Sequence, residues 1–499
     1  MNRLLTSRKS PWWLPTLFAL LAGCGGDAPS GGEGETVADK DLPWKGVNLR
    51  LLIAGDSQLA EAIGRLRGEW QGATGAELDI AELTAEELLG DKPPRADAVV
   101  FPAYDLGVLV ERGWLRPLPD GVLSSTELAW AEIFEADKTH DASWSATTYG
   151  FPLGSPTLLC CYRKDLLAQL NREPPTTWEE YQKLAHVLAD REKLGDAAPA
   201  ADAAWSGTME PLSEGWAGLV LLARAAAYAK HRNHYSTLFD MESMDPLIAG
   251  APFVRALDDL VAARALMPDA ALTASPGDVE NAVLGGRCGM AVTWTSPTFA
   301  ATDEQPADKS PTAESVEIEL GFVELPGSQQ VFNPKTEQWD SRRDDEAPRV
   351  PLVGVSGRMA AVTADSAHPD AAFHLLGWLC GPQWSKRTSA ASSATALFRR
   401  SHVEASADWA DPRLGAAAAL AYAEAVERAL SSADLFGAPR IEGRGRYLAA
   451  LDRAVRDAVE GKSNSETALA AAAKEWSRIT SELGLEQQRT AYRRSLGLR

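Results

Sequence analysis

Residues 149–180 read YGFPLGSPTLLCCYRKDLLAQLNREPPTTWEE, and local signals in this stretch predict an α/β fold. The apolar run 157–162 is continuous, which is typical of strands covered on both faces of a sheet. Thr177 and Glu180 then form a capping-box pattern that predicts the start of a helix. Gly195 is a glycine stop signal for that helix. The stretch therefore predicts a buried strand followed by a well-delimited helix that runs to about residue 194.

Strands and helices alternate on either side of this stretch. Upstream, strands are predicted at 47–54, 77–83 and 98–101, with helices at 58–70 and 105–112. Downstream, helices are predicted at 215–231, 252–265, 278–286, 413–432 and 444–460, with a strand at 290–294. Such alternation indicates βαβ units on parallel sheets. We therefore predict an α/β protein of two lobes that is richer in helix towards its C-terminus.

The N-terminus carries the layout of a bacterial export signal. Basic residues precede an apolar stretch at 11–23 that is too short to span a bilayer as a mature helix. The sequence Leu21-Ala22-Gly23-Cys24 resembles the lipobox, in which cleavage precedes a cysteine that receives a lipid. We expect a signal peptide at 1–23, lipidation of Cys24 and a flexible tether at 24–44. An ordinary secretory signal with a chance cysteine is the alternative.

Composition excludes one class of partner and leaves the cysteines open. The formal net charge of −20 argues against nucleic acid, because phosphate contacts need clustered Lys and Arg. More than one hydrophobic core fits into the chain beyond the tether. No metal-type or redox Cys-x-x-Cys spacing occurs. We favour buried free thiols for Cys160, Cys161, Cys288 and Cys380, although an exported protein can also form disulfides.

Five stretches together carry a family resemblance. They are AVVFPAYD (98–105), the opening stretch 149–180, NAVLGGRCGMAVTW (281–294), PDAAFHLLGWLCGP (369–382) and, more weakly, APRIEG (438–443) with Tyr447. In this order they resemble the family 1 extracellular solute-binding proteins, which include sugar-binding proteins of ABC importers. The chain departs from the family at Arg163, where Asn is usual. Polar stretches at about 300–317 and 328–349 are interpreted as exposed insertions.

The resemblance implies a periplasmic-binding-protein-like α/β fold. Each of its two lobes would contain a mostly parallel sheet flanked by helices, and hinge crossovers would join the lobes. Lobe 1 is expected to comprise residues 45–152 and 325–398. Lobe 2 is expected to comprise 153–324, and the helical segment 399–499 is expected to belong mostly to it.

The resemblance also implies a function. The chain would capture a carbohydrate by cleft closure and deliver it to the permease subunits of an ABC transporter. It would act as a monomer on the periplasmic or cell-surface side of a membrane, held by its lipid anchor, without cofactor, metal or catalysis. A secreted glycan-active enzyme and a glycan-binding surface lipoprotein without a transport role are the alternatives. Neither a Gly-x-Ser-x-Gly nor a His-Glu-x-x-His motif occurs.

Candidate ligand residues follow from where open α/β sheets bind solutes, beyond the carboxyl ends of their strands. The loops after the strands and the crossover supply Gly55, Asp56, Tyr104, Asp105, Ser155 and Trp294. The resemblance adds Trp216, and the last segment towards the cleft adds Arg440, Glu442 and Tyr447. Aromatic rings can stack on the apolar faces of a sugar, and charged groups can bind its hydroxyls. Trp178 is instead expected to be a packing residue of its helix.

Overall fold

The structure is a computed structural model that describes residues 42–295 and 318–498. The predicted signal peptide, Cys24, nearly all of the predicted tether and the predicted insertion at 300–317 lie outside the described residues. Those expectations therefore stay predictions.

The described residues form strands and helices throughout the chain. The strands are β1 (Asn48–Ala54), β2 (Glu77–Leu83), β3 (Ala98–Pro102), β4 (Ser143–Trp144), β5 (Thr147–Thr148), β6 (Phe151–Gly154), β7 (Thr157–Arg163), β8 (Ser206–Met209), β9 (Cys288–Thr295), β10 (Leu320–Glu324), β11 (Gln330–Asn333), β12 (Gln338–Ser341), β13 (Leu352–Val353), β14 (Arg358–Val362) and β15 (Phe436–Gly437). The helices are α1 (Ser57–Thr74), α2 (Ala85–Leu88), α3 (Leu106–Glu111), α4 (Asp120–Leu123), α5 (Lys164–Gln169), α6 (Trp178–Ala189), α7 (Arg191–Leu194), α8 (Ala217–Ala229), α9 (Ala251–Arg264), α10 (Pro276–Leu284), α11 (Pro369–Cys380), α12 (Pro382–Thr388), α13 (Arg400–Glu404), α14 (Ala416–Leu430), α15 (Arg444–Val459), α16 (Ser465–Leu483) and α17 (Leu485–Ser495).

Two sheets organise these elements into two lobes. Lobe 1 is built on the sheet β2-β1-β3-β14-β6, with α1 and α11 packed against it. Lobe 2 is built on the sheet β10-β7-β9-β8, with α6, α10 and α14 packed against it. Helices α8, α9, α15 and α16 pack on one another and extend lobe 2. The predicted two-lobed α/β fold is confirmed, whereas the exact lobe limits given above stay predictions.

Both sheets are mostly parallel, and each contains one reversed strand, β14 in lobe 1 and β7 in lobe 2. In lobe 1, β1 pairs in parallel with β2 and β3, but β14 runs antiparallel to β3 and β6. In lobe 2, only β8 and β9 pair in parallel, and β7 runs antiparallel to β9 and β10. The reversed strands are those that the chain adds where it passes between the lobes, so no βαβ unit sets their direction.

The crossover between β6 and β7 brings one edge of each sheet together. Gly154 ends β6 and Thr157 begins β7, so only Ser155 and Pro156 separate the sheets. A chain of this length reaches at most about 11 Å. In lobe 1, the ends of β1, β3 and β6 and the start of β14 lie at this edge. In lobe 2, the start of β7 and the end of β9 lie there.

The capping box at Thr177 forms as predicted, but the helix is shorter. The Thr177 side chain accepts from the amide of Glu180, and the Glu180 carboxylate accepts from the amide of Thr177. Helix α6 ends at Ala189, because Asp190 adopts an extended conformation and caps α7 with its carboxylate. The single helix predicted as far as residue 194 is therefore two helices.

The stretch 328–349, predicted as an exposed insertion, contains a hairpin. Residues 328–349 are not simply exposed, because β11 and β12 form an antiparallel hairpin in which Val331 is buried. The Arg342 side chain anchors this hairpin by donating to the carbonyl oxygens of Ala227 and Ser328.

The expectation of free thiols is confirmed, since Cys160, Cys161, Cys288 and Cys380 are all unpaired and buried. Within residues 42–295 and 318–498, none of the helices has the length and apolar character needed to cross a bilayer.

Candidate ligand-binding cleft

The loop after β1 is held by ionic contacts within lobe 1. The Asp56 carboxylate accepts from the amide of Leu59 at the start of α1 and from the Ser392 hydroxyl. It also lies 3.0 Å from Nε of Arg358, the first residue of β14. Nη2 of Arg358 donates to the Gly55 carbonyl at 2.7 Å. The structure thus places Gly55 and Asp56 at the expected edge, but these contacts account for Asp56 without a solute.

The loop after β3 presents a carboxylate that has no such partners. Asp105 is 6% exposed, and no hydrogen bond to its carboxylate occurs among the described residues. Burial raises the pKa of Asp105 to about 7, and the guanidinium groups of Arg444, Arg358 and Arg112 only partly oppose this shift. Asp105 is therefore a candidate acceptor for a solute hydroxyl.

Tyr104 lies beside Asp105 and is covered by a residue that the sequence analysis missed. The Arg444 guanidinium lies 3.9 Å from the centre of the Tyr104 ring. Nη2 of Arg444 also donates to the carbonyl of Val355 at 2.9 Å, in the segment that leads to β14. Burial lowers the pKa of Arg444, and Tyr104 and Asp105 oppose this shift. Arg444 thus joins the start of α15 to lobe 1 through a cation–π contact.

Ser155 forms part of a polar network at the crossover. Its hydroxyl donates to Oδ2 of Asp141 at 2.9 Å, and Oδ1 of Asp141 lies 2.8 Å from Nδ1 of His140. Gly357, on the segment leading to β14, has a φ of +103°, and a Cβ there would lie 1.9 Å from the Ser155 hydroxyl. The two passages of the chain between the lobes therefore touch at Ser155.

Arg440 belongs to the same network. Its guanidinium donates to the carbonyls of His140 and Ser143, and burial lowers the pKa of Arg440 to about 10. Burial, together with Arg440, lowers the pKa of His140. Arg440 is therefore held at the hinge by two backbone carbonyls, while its buried Nε has no hydrogen-bond partner among the described residues. Its predicted contact with a solute stays a prediction.

Two tryptophans lie together at the facing edge of lobe 2. Trp294, the penultimate residue of β9, pairs with Leu158 at the start of β7. The rings of Trp216 and Trp294 are 4.9 Å apart, and Trp216 directly precedes α8. Trp294 is 1% exposed, and its Nε1 has no hydrogen-bond partner among the described residues. Trp216 is half-buried, and its ring is tilted by 48° against the ring of Trp294.

The last two predicted ligand residues are Glu442 and Tyr447, and both have contacts with other side chains. The Glu442 carboxylate accepts from Nε2 of Gln487, and its Oε1 lies 3.8 Å from Nη2 of Arg112. Tyr447 is fully buried, and its ring packs against Phe239 and Trp476. We therefore withdraw Tyr447 as a ligand residue. It lies on the inner face of α15, whereas the hinge contacts of this segment end at Arg444.

Sequence reasoning missed Arg358, Arg444, His140 and Asp141. Nothing local distinguishes Arg444 from Arg446, two residues later, which forms an ion pair with Glu482 on the surface. Arg358 and Asp56 are more than three hundred residues apart in the sequence. Only the folded chain brings such groups into contact.

Comparisons with known proteins agree with this architecture. The family described as bacterial extracellular solute-binding protein matches residues 77–414. No curated relative matches the sequence. The sugar-binding protein MalE from Xanthomonas citri is similar in structure, with a TM-score of 0.62 and 19% identity over 88% of this chain and 98% of that chain.

Two more solved structures show the same likeness. A solute-binding protein from Agrobacterium radiobacter in complex with ribitol has a TM-score of 0.59 and 19% identity, covering 88% of this chain and all of that one. Maltose-bound MalE3 from T. maritima has a TM-score of 0.57 and 16% identity, covering 87% of this chain and all of that one. At these identities the likeness shows the fold.

Proposed function

The chain belongs to the bacterial extracellular solute-binding protein family, and we propose that it binds a sugar or polyol between its lobes for an ABC importer. The observation that carries the ligand class is the tryptophan pair at the facing edge of lobe 2. A half-buried indole that packs against a second indole is a platform for the apolar face of a polyhydroxylated solute. Similar solute-binding proteins have been solved with ribitol, mannitol and maltose bound, which supports the same class.

Lobe 1 would supply the polar half of this site. Asp105 is a carboxylate without a hydrogen-bond partner among the described residues, next to Tyr104 and Arg444. Solute hydroxyls would donate to Asp105, and closure of the lobes would shield these bonds from water. Closure is also the property that favours transport over static glycan binding, because a static binder needs no hinge.

We further propose that the solute leaves chemically unchanged, is delivered to permease subunits, and is captured by a protein anchored through Cys24. The family description, which names solute binding, supports binding without catalysis. Within residues 42–295 and 318–498, no group of three or more His, Cys, Asp and Glu side chains is arranged to hold a metal ion.

The function is tested by a thermal-shift screen of the full chain against sugars and polyols, including maltose, ribitol and mannitol. At least one solute should raise the melting temperature in a concentration-dependent way, because binding to the folded state alone stabilises it. The same solute should be recovered intact by mass spectrometry after long incubation. A screen in which no sugar or polyol binds would contradict the proposal. Turnover that disappears on a single carboxylate substitution would favour the glycan-active enzyme instead.

Substitution of Trp216 should weaken binding and leave stability almost unchanged. Loss of a stacked ring at a binding hot spot costs about 2 kcal/mol or more, which corresponds to a roughly thirty-fold higher Kd in calorimetry. The matched control is Trp178→Ala, because Trp178 is 2% exposed and packs edge-on against Tyr181. That variant should lose about 3–5 kcal/mol of folding stability. Unchanged affinity in Trp216→Ala would show that the site lies elsewhere.

Binding should also depend on pH through Asp105. With a pKa of about 7, Asp105 is mostly protonated at pH 6 and mostly ionised at pH 8. If the ionised form accepts the solute hydroxyl, affinity should rise about tenfold between these pH values, following the ionised fraction. Asp105→Asn should bind more weakly and without this slope, whereas Glu442→Gln should keep it. A wild-type affinity that is flat or falls with pH would contradict this role.

A further inference from the structure

The C-terminal helix α17 is anchored firmly to lobe 2. The Tyr492 hydroxyl lies 2.7 Å from the Ser236 hydroxyl and accepts from the amides of Leu238 and Phe239. The Tyr492 ring is 4% exposed and packs edge-on against the Phe239 ring at 5.2 Å. At the surface, Nη1 of Arg493 donates to the Glu242 carboxylate at 2.8 Å.

The same helix also reaches lobe 1. Nη1 of Arg494 donates to Oε2 of Glu111, the last residue of α3, at 2.7 Å. The amide of Ser145, in the turn between β4 and β5, donates to the Arg494 carbonyl at 3.1 Å. The Ser145 hydroxyl donates to the Leu498 carbonyl at 3.0 Å. Residues 485–498 thus bridge the two lobes.

The two attachments differ in strength. The anchor on lobe 2 includes a buried ring, whereas the Arg494–Glu111 pair is polar, with side chains 42% and 28% exposed. A cavity of about 430 Å³ lies between α3 and α17, so their interface is not tightly packed. When the lobes move, α17 should therefore stay with lobe 2 and release lobe 1.

The bridge lies at the ends of elements that point away from the proposed cleft. Trp216 is at the start of α8, whereas the loop that holds Tyr492 follows the other end of that helix, 13 residues further on, or about 20 Å. Asp105 directly precedes α3, whereas Glu111 is its last residue. Contacts on the far side of a hinge separate when the cleft closes.

We propose that α17 is an interlobe strap whose contacts with lobe 1 oppose closure of the cleft. This inference rests on the proposed function, because it assigns the strap to the regulation of that site. The apparent Kd of a binding protein rises when its binding-competent state is less populated. Breaking the contact with lobe 1 should therefore tighten binding.

Neighbouring arginines provide matched variants. Arg494→Gln removes the ion pair to lobe 1, and Arg493→Gln removes an ion pair of similar length within the anchor on lobe 2. For a stabilising solute from the panel, Arg494→Gln should lower the apparent Kd about two- to five-fold, the range of a partly exposed pair, while Arg493→Gln leaves it unchanged. Glu111→Gln should lower the apparent Kd to the same extent. Glu111→Gln combined with Arg494→Gln should lower it no further. Equal or weaker binding by Arg494→Gln overturns the strap.

A second measurement needs no solute. The four described native cysteines are buried, so labels can be attached selectively to Ser57→Cys and Glu214→Cys, two exposed positions beside Asp56 and Trp216, in full-length protein carrying Cys24→Ser. In solute-free protein, Arg494→Gln should shift the distance between the labels to shorter values, and Arg493→Gln should not. Unchanged or longer distances overturn the strap. Absence of binding in wild type would overturn the proposed function while this comparison still tests the strap.

Discussion

Replacing Glu210 by Gln is expected to destabilise the folded protein by about 3–5 kcal/mol, because the substitution leaves a buried guanidinium without its counter-charge. Glu210 and Arg224 are 0% and 1% exposed. Nε of Arg224 donates to Oε2 of Glu210 at 3.0 Å, and its Nη2 donates to Oε1. Burial alone would lower the pKa of Arg224, but the Glu210 carboxylate outweighs it and raises that pKa above its usual value.

Aromatic side chains surround the buried pair and limit the access of water to Arg224. The Arg224 guanidinium lies 4.3 Å from the centre of the Trp178 ring, and the Tyr181 hydroxyl donates to Glu210. Water therefore has little access to a guanidinium that loses its partner. The loss should appear as a lower midpoint in denaturant unfolding with an unchanged slope.

Two controls separate the buried charge from a general effect of substitution. Glu179→Gln breaks the exposed ion pair with Lys183 on α6 and should leave the midpoint unchanged within error. The double variant Glu210→Leu with Arg224→Met removes both charges and should recover most of the lost stability, because apolar replacement of a buried pair is often neutral. Equal losses in the single and double variants would contradict the argument.

Glu280→Gln is expected to change how stability depends on pH. Burial raises the pKa of Glu280 to about 8 from its ordinary value of 4.5, the Asp411 carboxylate adds to the shift, and Arg413 opposes it. Asp411 is itself held by the Arg413 guanidinium at 2.7 Å, and Oε2 of Glu280 has no hydrogen-bond partner among the described residues. The folded protein therefore keeps Glu280 protonated at neutral pH.

Because the pKa of Glu280 is raised in the folded protein, the free energy of unfolding should fall as the pH rises. The contribution of Glu280 to stability is complete below about 4.5 and is lost as the pH rises through about 8. At about 1.4 kcal/mol per pKa unit, the difference amounts to at most about 5 kcal/mol. Between pH 4.5 and pH 8.5, the free energy of unfolding of wild type should fall by up to this amount relative to that of Glu280→Gln, as measured by denaturant unfolding. The exposed control Glu319→Gln should follow the wild-type curve, and a Glu280→Gln curve parallel to wild type would contradict the prediction.

The sequence by itself determined the elements whose signals are local. The run 157–162 and the pair Thr177 and Glu180 predicted a strand and a helix start that the structure confirms, because hydrophobic continuity and capping act within a few residues. The burial of Trp178 followed from the same local pattern. The order of five short stretches was enough to indicate the family that matches the chain.

Only the tertiary structure decided what long-range contacts control. Strand β14 enters lobe 1 beside β3 from more than two hundred residues away, and its direction makes the sheet mixed. Arg440 reaches the hinge residues His140 and Ser143 from about three hundred residues further along the chain, so no spacing in the sequence announces this contact. Tyr447 was expected to face a solute and packs in the core instead, because helix packing decides which face of α15 is buried. Residues close in the sequence determine whether a segment forms a helix or a strand. The sheet that a strand joins and the face that a helix buries depend on residues far along the chain.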